Sequence, residues 1–422
     1  MNKKLKIVLI CIVSTLTLVG TFFAGFFVRD FTIDKDARAA MYLIDNYKKH
    51  YYFEEDGVVD IISNELLDKY SSYYSKEEYD LIKRYAKGYI VGVGLTFYDD
   101  TSIISEVLSN SPAERVGITK NGEVIAYNTG SGMITPLNCS DVLTALKSAS
   151  KGAEITLKIK YGAEEKVFTC VKNEYLRTYV KYQSSSGTYV YQGKSGDIER
   201  VKIAEESPVF SQKTGYIKYS AFNGKDSGLN GSYGQLKDAL EYFKSENKEV
   251  LVFDLRGNGG GYLSILKDVA SLIVPYTESG KFLIQYSKDK YNNVEESFSK
   301  NSQFSSYGIK KLIVMIDEDT ASASEALVGA IYDYSTKINF NLKVIISSSI
   351  LNGEKVYKSY GKGIMQTTYP NVDGSAVKLT TAKLYWPISN VSIHGVGITT
   401  SIIPTAINAD AETALSVALN NA

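Results

Sequence analysis

Hydrophobic positions along the chain fall into three regimes. The first is a block. Ile7 to Val28 runs 22 residues without a charge, preceded by Lys3, Lys4 and Lys6 and followed by Arg29 and Asp30. As a helix it would be about 33 Å long, enough for a hydrocarbon core of ~30 Å. It exceeds the ~7–15-residue apolar region of a cleaved signal peptide, although Phe23-Ala24-Gly25 leaves a cleavage site open. Three lysines before the span against one arginine after it place the N-terminus in the cytoplasm. Residues 1–30 are therefore expected to be an uncleaved, single-pass anchor in the cytoplasmic membrane, with the rest of the chain extracytoplasmic.

The second regime has helical spacing. Ala39, Met41, Leu43, Ile44 and then Val59, Ile61, Ile62, Leu66 and Leu67 recur at three to four residues, and Gly88 ends the pattern. This predicts a helical segment over 34–88, packed on the rest of the protein or on a second copy in a homodimer. The third regime is strand-rich. Within 89–172, strands are predicted at Ile90–Phe97, Ile103–Val107, Gly122–Tyr127 and Ala153–Ile159. Ser111-Pro112-Ala113-Glu114 opens a short helix with proline at its first position, and Ser140-Asp141 caps a helix Val142–Ser148. From 173 to 422 strands and helices alternate. Val250–Leu255, Leu312–Ile316 and Val344–Ile346 read as buried strands, and Leu263–Ile273 and Ser322–Tyr332 as helices. Such runs predict an α/β domain with helices covering a sheet.

Composition narrows the chemistry. Lys plus Arg and Asp plus Glu are 47 each, so the chain lacks the basic surplus of a general nucleic-acid binder. Two histidines, His50 and His394, and three cysteines are too few for a recognisable Cys/His zinc site. No metal or cofactor is expected. Cys139 and Cys170 would meet an oxidising space, where a disulfide is possible but not established by two cysteines. Richness in Lys, Asn, Ile and Tyr points to an AT-rich bacterial genome.

Four segments could carry chemistry. Asp254-Leu255-Arg256-Gly257-Asn258-Gly259-Gly260-Gly261 follows a buried strand, and its glycines would let a ligand approach backbone N–H groups. The plain alternative is a tight connection. Asp319-Thr320-Ala321-Ser322-Ala323-Ser324-Glu325 reads locally as a capping box, Ser322 with Glu325, but also sets a hydroxyl at a helix N-terminus. Gly361-Lys362-Gly363-Ile364-Met365-Gln366 holds a lysine between glycines that permit close packing. Ile393-His394-Gly395-Val396-Gly397-Ile398 is most simply a strand and turn.

Taken in this order, the four segments resemble the C-terminal processing peptidases, the tail-specific serine proteases. The resemblance spans roughly Ala37 to Thr413. Leu67-Asp68-Lys69-Tyr70-Ser71-Ser72-Tyr73-Tyr74, Gly215-Tyr216-Ile217 and Phe222 match further segments, and Ser111-Pro112-Ala113-Glu114-Arg115-Val116-Gly117-Ile118 is similar to the helix of that family's embedded PDZ domain. The resemblance implies a crotonase/Clp-protease-like mixed sheet with helices at 173–422, a small PDZ domain at 89–172, and the N-terminal helical segment after one transmembrane helix. It implies Ser322 as nucleophile, with Ser324 as local rival, Lys362 as general base and Gln366 orienting it. The oxyanion donors would be the N–H groups of Ala323 and Gly260. The PDZ domain would add a substrate's C-terminus as a strand, with Gly92, Val93, Gly94 and Leu95 as the carboxylate cradle. Partners are then proteins or peptides with accessible C-termini.

Two features depart from the family. Asn258-Gly259-Gly260-Gly261 stands where Asn-Pro-Gly-Gly is frequent, and Ser322 and Lys362 are 40 residues apart, a longer interval than usual. The excess is expected in polar, loop-like stretches around Tyr334–Asn341 and Ser347–Tyr360, where it could reshape the site. A serine nucleophile needs a base, and with so few histidines a lysine is a sensible one. Its pKa must fall from ~10.4 to about 7, roughly 4 kcal/mol of preference for the neutral amine. The competing reading is an inactive PDZ scaffold that only binds C-terminal peptides.

Overall fold

The computed structural model describes residues 67–98, 101–108, 110–193, 198–203, 211–224, 228–351 and 353–422, preceded by 37, 39–44 and 65. The expected span at 1–30 lies outside the described residues, and no described helix is long and apolar enough to cross a membrane. The chain divides into two units at Asp68/Lys69. In the first, residues 39–44 are helical, with Met41, Tyr42 and Leu43 exposed.

The second unit is built on an eight-stranded mixed sheet. Its spatial order is 199–203, 187–192, 180–184, 214–219, 250–254, 311–316, 341–347 and 407–409. The first four strands are antiparallel, and from 214–219 onward every pair is parallel. Parallel pairing requires crossovers, and the helices Ser232–Ser245, Leu263–Ile273 and Ala323–Ile338 supply them. They bury one sheet face through Ile217, Leu251, Phe253, Leu312 and Val314. The short helix Ala414–Asn420 covers the other face over Tyr216, Val252, Ile313, Met315 and Ile345. Both faces being covered explains why the central strands read as unbroken apolar runs.

A second, antiparallel sheet joins 72–74, 376–385, 283–289 and 294–298, with 364–370 pairing 376–385. It corrects the helical expectation for 34–88. Ser72–Tyr74 is a strand, paired with Ala376–Lys378 some 300 residues away. The helix Lys76–Ala86 follows, and Gly88 at φ 91° ends it as expected.

Residues 89–176 enclose a core of their own, including Val93, Ile104, Val124, Val142, Leu157 and Ile159. The strand expected over 90–97 is two strands, Tyr89–Gly92 and Leu95–Phe97. Gly94 breaks it at φ 86°, where a Cβ would come within 2.1 Å of Ser111 Cβ. The helix expected at Val142 begins at Cys139, because Asn138 accepts the Asp141 N–H and is the true cap. Cys139 and Cys170 are both buried, and burial pushes the Cys170 thiol up to about 11.

At the end of the strand Val250–Asp254 lies a buried charge cluster. Asp254 is fully buried and accepts bonds from the Arg256 guanidinium at 2.7–3.1 Å and from Tyr216 Oη at 2.7 Å, with Lys218 Nζ at 3.6 Å. Burial by itself would raise this carboxyl, but Lys218 and Arg256 outweigh it and hold it at about 2. A depressed carboxyl adds stability above its unfolded value of ~4 and loses it as pH falls toward 2, here about 2 kcal/mol. Asp254→Asn should therefore be less stable than wild type at pH 6, and the gap should close by that amount by pH 2. Urea melts across this range check it, and a gap independent of pH contradicts the assignment.

Candidate active site

The parallel strands 250–254 and 311–316 both deliver their C-terminal ends to one place. The first runs into the glycine turn and the second into Ser322 at the head of the helix Ala323–Ile338. Ser322 holds φ 58° and ψ −113°. Every other described non-glycine residue with positive φ is an asparagine. Asparagine tolerates the left-handed region, whereas for serine such a conformation costs about 1–3 kcal/mol and persists only where its surroundings impose it.

The surroundings can be named. Gly260, at φ 97°, lies so close that a Cβ there would meet Ala321 O at 2.7 Å, Ala323 N at 2.9 Å and Ser322 Cβ at 3.0 Å. Asn258, fully buried, ties the two turns together. Its carbonyl accepts the Ala321 N–H at 3.0 Å and the Ser324 hydroxyl at 2.8 Å, and its side chain reaches Tyr219 O and the Gly260 N–H, each at 2.9 Å. Ser324 is thus a buried brace. Ser322, in contrast, is half-buried and borders a cleft of about 700 Å³.

The same cleft is bordered by Ala323, Lys362, Gln366, Gly259 and Gly261. Lys362 precedes the strand Ile364–Pro370 and Gln366 lies within it, at a register slip beside Met365. The structure therefore brings Ser322, Lys362, Gln366 and Ala323 to one cavity, with Gly260 directly behind. The Gly260 N–H is donated to Asn258, Gln366 Nε2 bonds Thr380 Oγ1 at 3.2 Å, and the Lys362 ammonium sits 5.0 Å from the centre of the Tyr70 ring. Gly92–Leu95 lies instead in the 89–176 module.

What joins the serine turn to the lysine segment is Glu325. Its buried carboxylate accepts the N–H groups of Ser322 at 2.8 Å, Gly361 at 2.8 Å and Lys362 at 2.9 Å, and the Ser359 hydroxyl at 2.5 Å. Burial pushes this carboxyl up against the pull of those four donors. The lysine segment is closed from the far side by the fourth motif. A Cβ on Gly361 would meet Gly397 N at 2.8 Å, and one on Gly363 would meet His394 N at 2.7 Å. The glycines flanking Lys362 are thus required by packing, and His394 belongs to the turn that packs there.

The long interval between Ser322 and Lys362 also resolves. Tyr334–Asn341 is not a loop; it completes the helix and starts the strand Asn341–Ser347, with Tyr334 buried. Within 347–360 stands a hairpin, Ser349–Leu351 with Glu354–Val356, anchored to Asp410 by Lys355 at 3.0 Å and followed by Tyr357, which bonds Asp410 at 2.6 Å. None of its described residues borders the cleft. Ser359 and Gln285 were not signalled by the sequence, and Asn258 and Tyr70 stood inside quoted segments without a role of their own. Glu325 was signalled, but only as a capping residue.

A hydroxyl on a strained turn at a helix N-terminus and a lysine thus border one cleft. Residues 213–344 match the model of Peptidase family S41. The "Probable CtpA-like serine protease" of Staphylococcus epidermidis (strain ATCC 12228 / FDA PCI 1200) is 27% identical over 404 residues, covering 92% of this chain and 70% of the relative. That of Staphylococcus aureus (strain MSSA476) is 27% identical over 382 residues, covering 87% and 65%. The chain thus spans about two thirds of the length of these curated relatives. Among solved structures, the photosystem II D1 C-terminal processing protease is 19% identical, with 90% of each chain covered and a TM-score of 0.49. Residues 213–344 thus match the S41 peptidase family, and over most of its length the chain is similar to CtpA-like serine proteases, which marks it as a serine-type peptidase.

Glu325→Gln replaces one acceptor oxygen with an N–H₂ that faces other donors. It should cost about 2–4 kcal/mol of stability and slow labelling of Ser322 by a serine-reactive probe. Denaturant melts and labelling rates check this; an unchanged pair of values rules out the clamp.

Proposed function

We propose that the chain is an extracytoplasmic, membrane-anchored serine endopeptidase that cuts proteins in or near their C-terminal tails. The observation that carries this reading is the strained backbone of Ser322 on a cleft shared with Lys362. Neutral Lys362 takes the Ser322 proton as Oγ attacks the scissile carbonyl, and it returns that proton to the departing amine. Water then releases the acyl group by the same route. The Ala323 N–H, at the helix N-terminus, faces the developing oxyanion with an N–H of the 259–261 turn. Gly260 fills this role once its N–H turns from Asn258 to the substrate; Gly259 and Gly261 already border the cleft. Gln366 orients Lys362 in the working state. The contact of Lys362 with Tyr70 and the bond of Gln366 to Thr380 belong to the resting state.

The 89–176 module is read as a PDZ domain that selects substrates by their C-termini. In its favour, Leu95–Phe97 pairs on one edge only among the described residues, with Ile104–Val107, and leaves the other edge for an added strand. Gly92-Val93-Gly94-Leu95 leads into that edge and would hold the terminal carboxylate.

Ser322→Ala and Lys362→Ala should each lower proteolysis of an unfolded protein by at least about 10³-fold with the circular dichroism unchanged. A fluorophosphonate probe should label wild type and not Ser322→Ala. Full activity in either variant removes the dyad, and absence of labelling in wild type favours the inactive scaffold. Amidating a substrate's C-terminus should slow its cleavage several-fold, and equal rates would remove the PDZ role.

A further inference from the structure

Beside Ser322 the cleft ends in a small recess walled by Gln285, Ala326, Lys362, Leu384, Trp386 and Ile393. Its free space is about 10 Å³, the room of a single water-sized group. Two polar atoms of these wall residues are buried without a hydrogen-bond partner, Oε1 of Gln285 and Nε1 of Trp386. The indole is fixed against the helix, since a Cβ on Gly329 would come within 2.2 Å of Nε1. Gln285 is placed differently. It borders both the recess and the wide cleft, and it is only 3% exposed. It sits on the strand Leu283–Asp289 at a register slip between Leu283 and Gln285. Such a slip re-aims a side chain and is a frequent feature beside active sites.

Resting on the peptidase reading, we propose that this recess receives the side chain on the acyl side of the scissile bond, and that Gln285 makes it select serine. The recess admits a methyl or a hydroxyl, so alanine and serine fit while branched and long side chains force repacking. Between the two, a serine hydroxyl donates to Gln285 Oε1, while alanine leaves that acceptor buried and unpaired. A buried polar group without a partner is the costly case, and a pocket with such a group rejects the analogue that cannot satisfy it. Turning the amide does not remove the preference, because the serine hydroxyl also accepts.

The test uses one peptide series that differs only at that position, with serine, alanine, valine or leucine. Wild type should show kcat/KM for serine roughly ten-fold above alanine, with leucine about 100-fold below alanine. Gln285→Leu, and independently Gln285→Met, should bring the serine-to-alanine ratio to about one. A second arm measures binding of the same peptides to Ser322→Ala protein by calorimetry, where serine should again be favoured. Equal rates and equal affinities for serine and alanine in the parent proteins overturn the proposal, as does a ratio that neither Gln285 variant moves. If no peptide is cut but Ser322→Ala protein still prefers serine in a Gln285-dependent way, the peptidase reading fails and the selectivity of the recess stands.

Discussion

One buried carboxylate holds the site together. Glu325 stands on the first turn of the helix that Ser322 heads, and its two oxygens take four donors drawn from both that turn and the segment 359–362. Serine follows a strand of one sheet and lysine precedes a strand of the other, and their neighbourhood is not a consequence of either strand's hydrophobic pattern. It follows from the need of a buried acid for partners. A carboxylate in the interior is tolerated only when its lone pairs are filled. The residues that fill them here are those flanking the two groups assigned to the chemistry. The arrangement also explains why a capping residue and a site residue coincide. By taking the Ser322 N–H, Glu325 satisfies a helix-end donor. The same bond fixes the backbone of a residue held at positive φ.

The opposite wall works by a similar economy of parts. Asn258 uses its backbone carbonyl and both ends of its amide to bind the serine turn, the glycine turn and the neighbouring strand at Tyr219. Gly260 is confined because the serine turn leaves no room for a Cβ, and Gly361 and Gly363 are confined by the 393–397 turn. Glycines that read in the sequence as permissive backbone are in the fold places of closest approach between segments.

This bears on how much could be read in advance. Val250–Asp254, Lys311–Ile316 and Leu263–Ile273 were legible to within a residue, because covering a sheet on both faces leaves an unbroken apolar run and a helix leaves a periodic one. The strand Ser72–Tyr74 was not legible. Three residues carry no period, and what makes them extended is pairing with Ala376–Lys378. Tyr334–Asn341 misled for the converse reason: its polar residues lie on a helix end, which composition alone does not separate from a loop. Among the site residues, Ser322 and Lys362 were named through resemblance, while Gln285, a polar residue in an unremarkable strand, gave no signal. Its place at the wall comes from a register slip, which is a property of two strands and not of either one.

The resting arrangement then poses a single chemical demand. The Lys362 amine lies over the Tyr70 ring, where an aromatic face attracts a cation. A base that must act as a neutral amine is best served by an apolar, closed setting. The cleft as it stands is wide, and Tyr70, whose ring lies beside Lys362, stands just ahead of the strand Ser72–Tyr74 at the margin of the second sheet. An extended substrate laid along that cleft would exclude water from it and compete with the ring for the amine. Under the proposed dyad, the groups that would distinguish resting from working enzyme are few: the amine of Lys362, the amide of Gln366 and the N–H of Gly260, each held here by a neighbour. Of these only the Gly260 N–H belongs to the backbone, and freeing it from Asn258 asks for a turn of that one peptide, while Glu325 keeps the serine and lysine segments together.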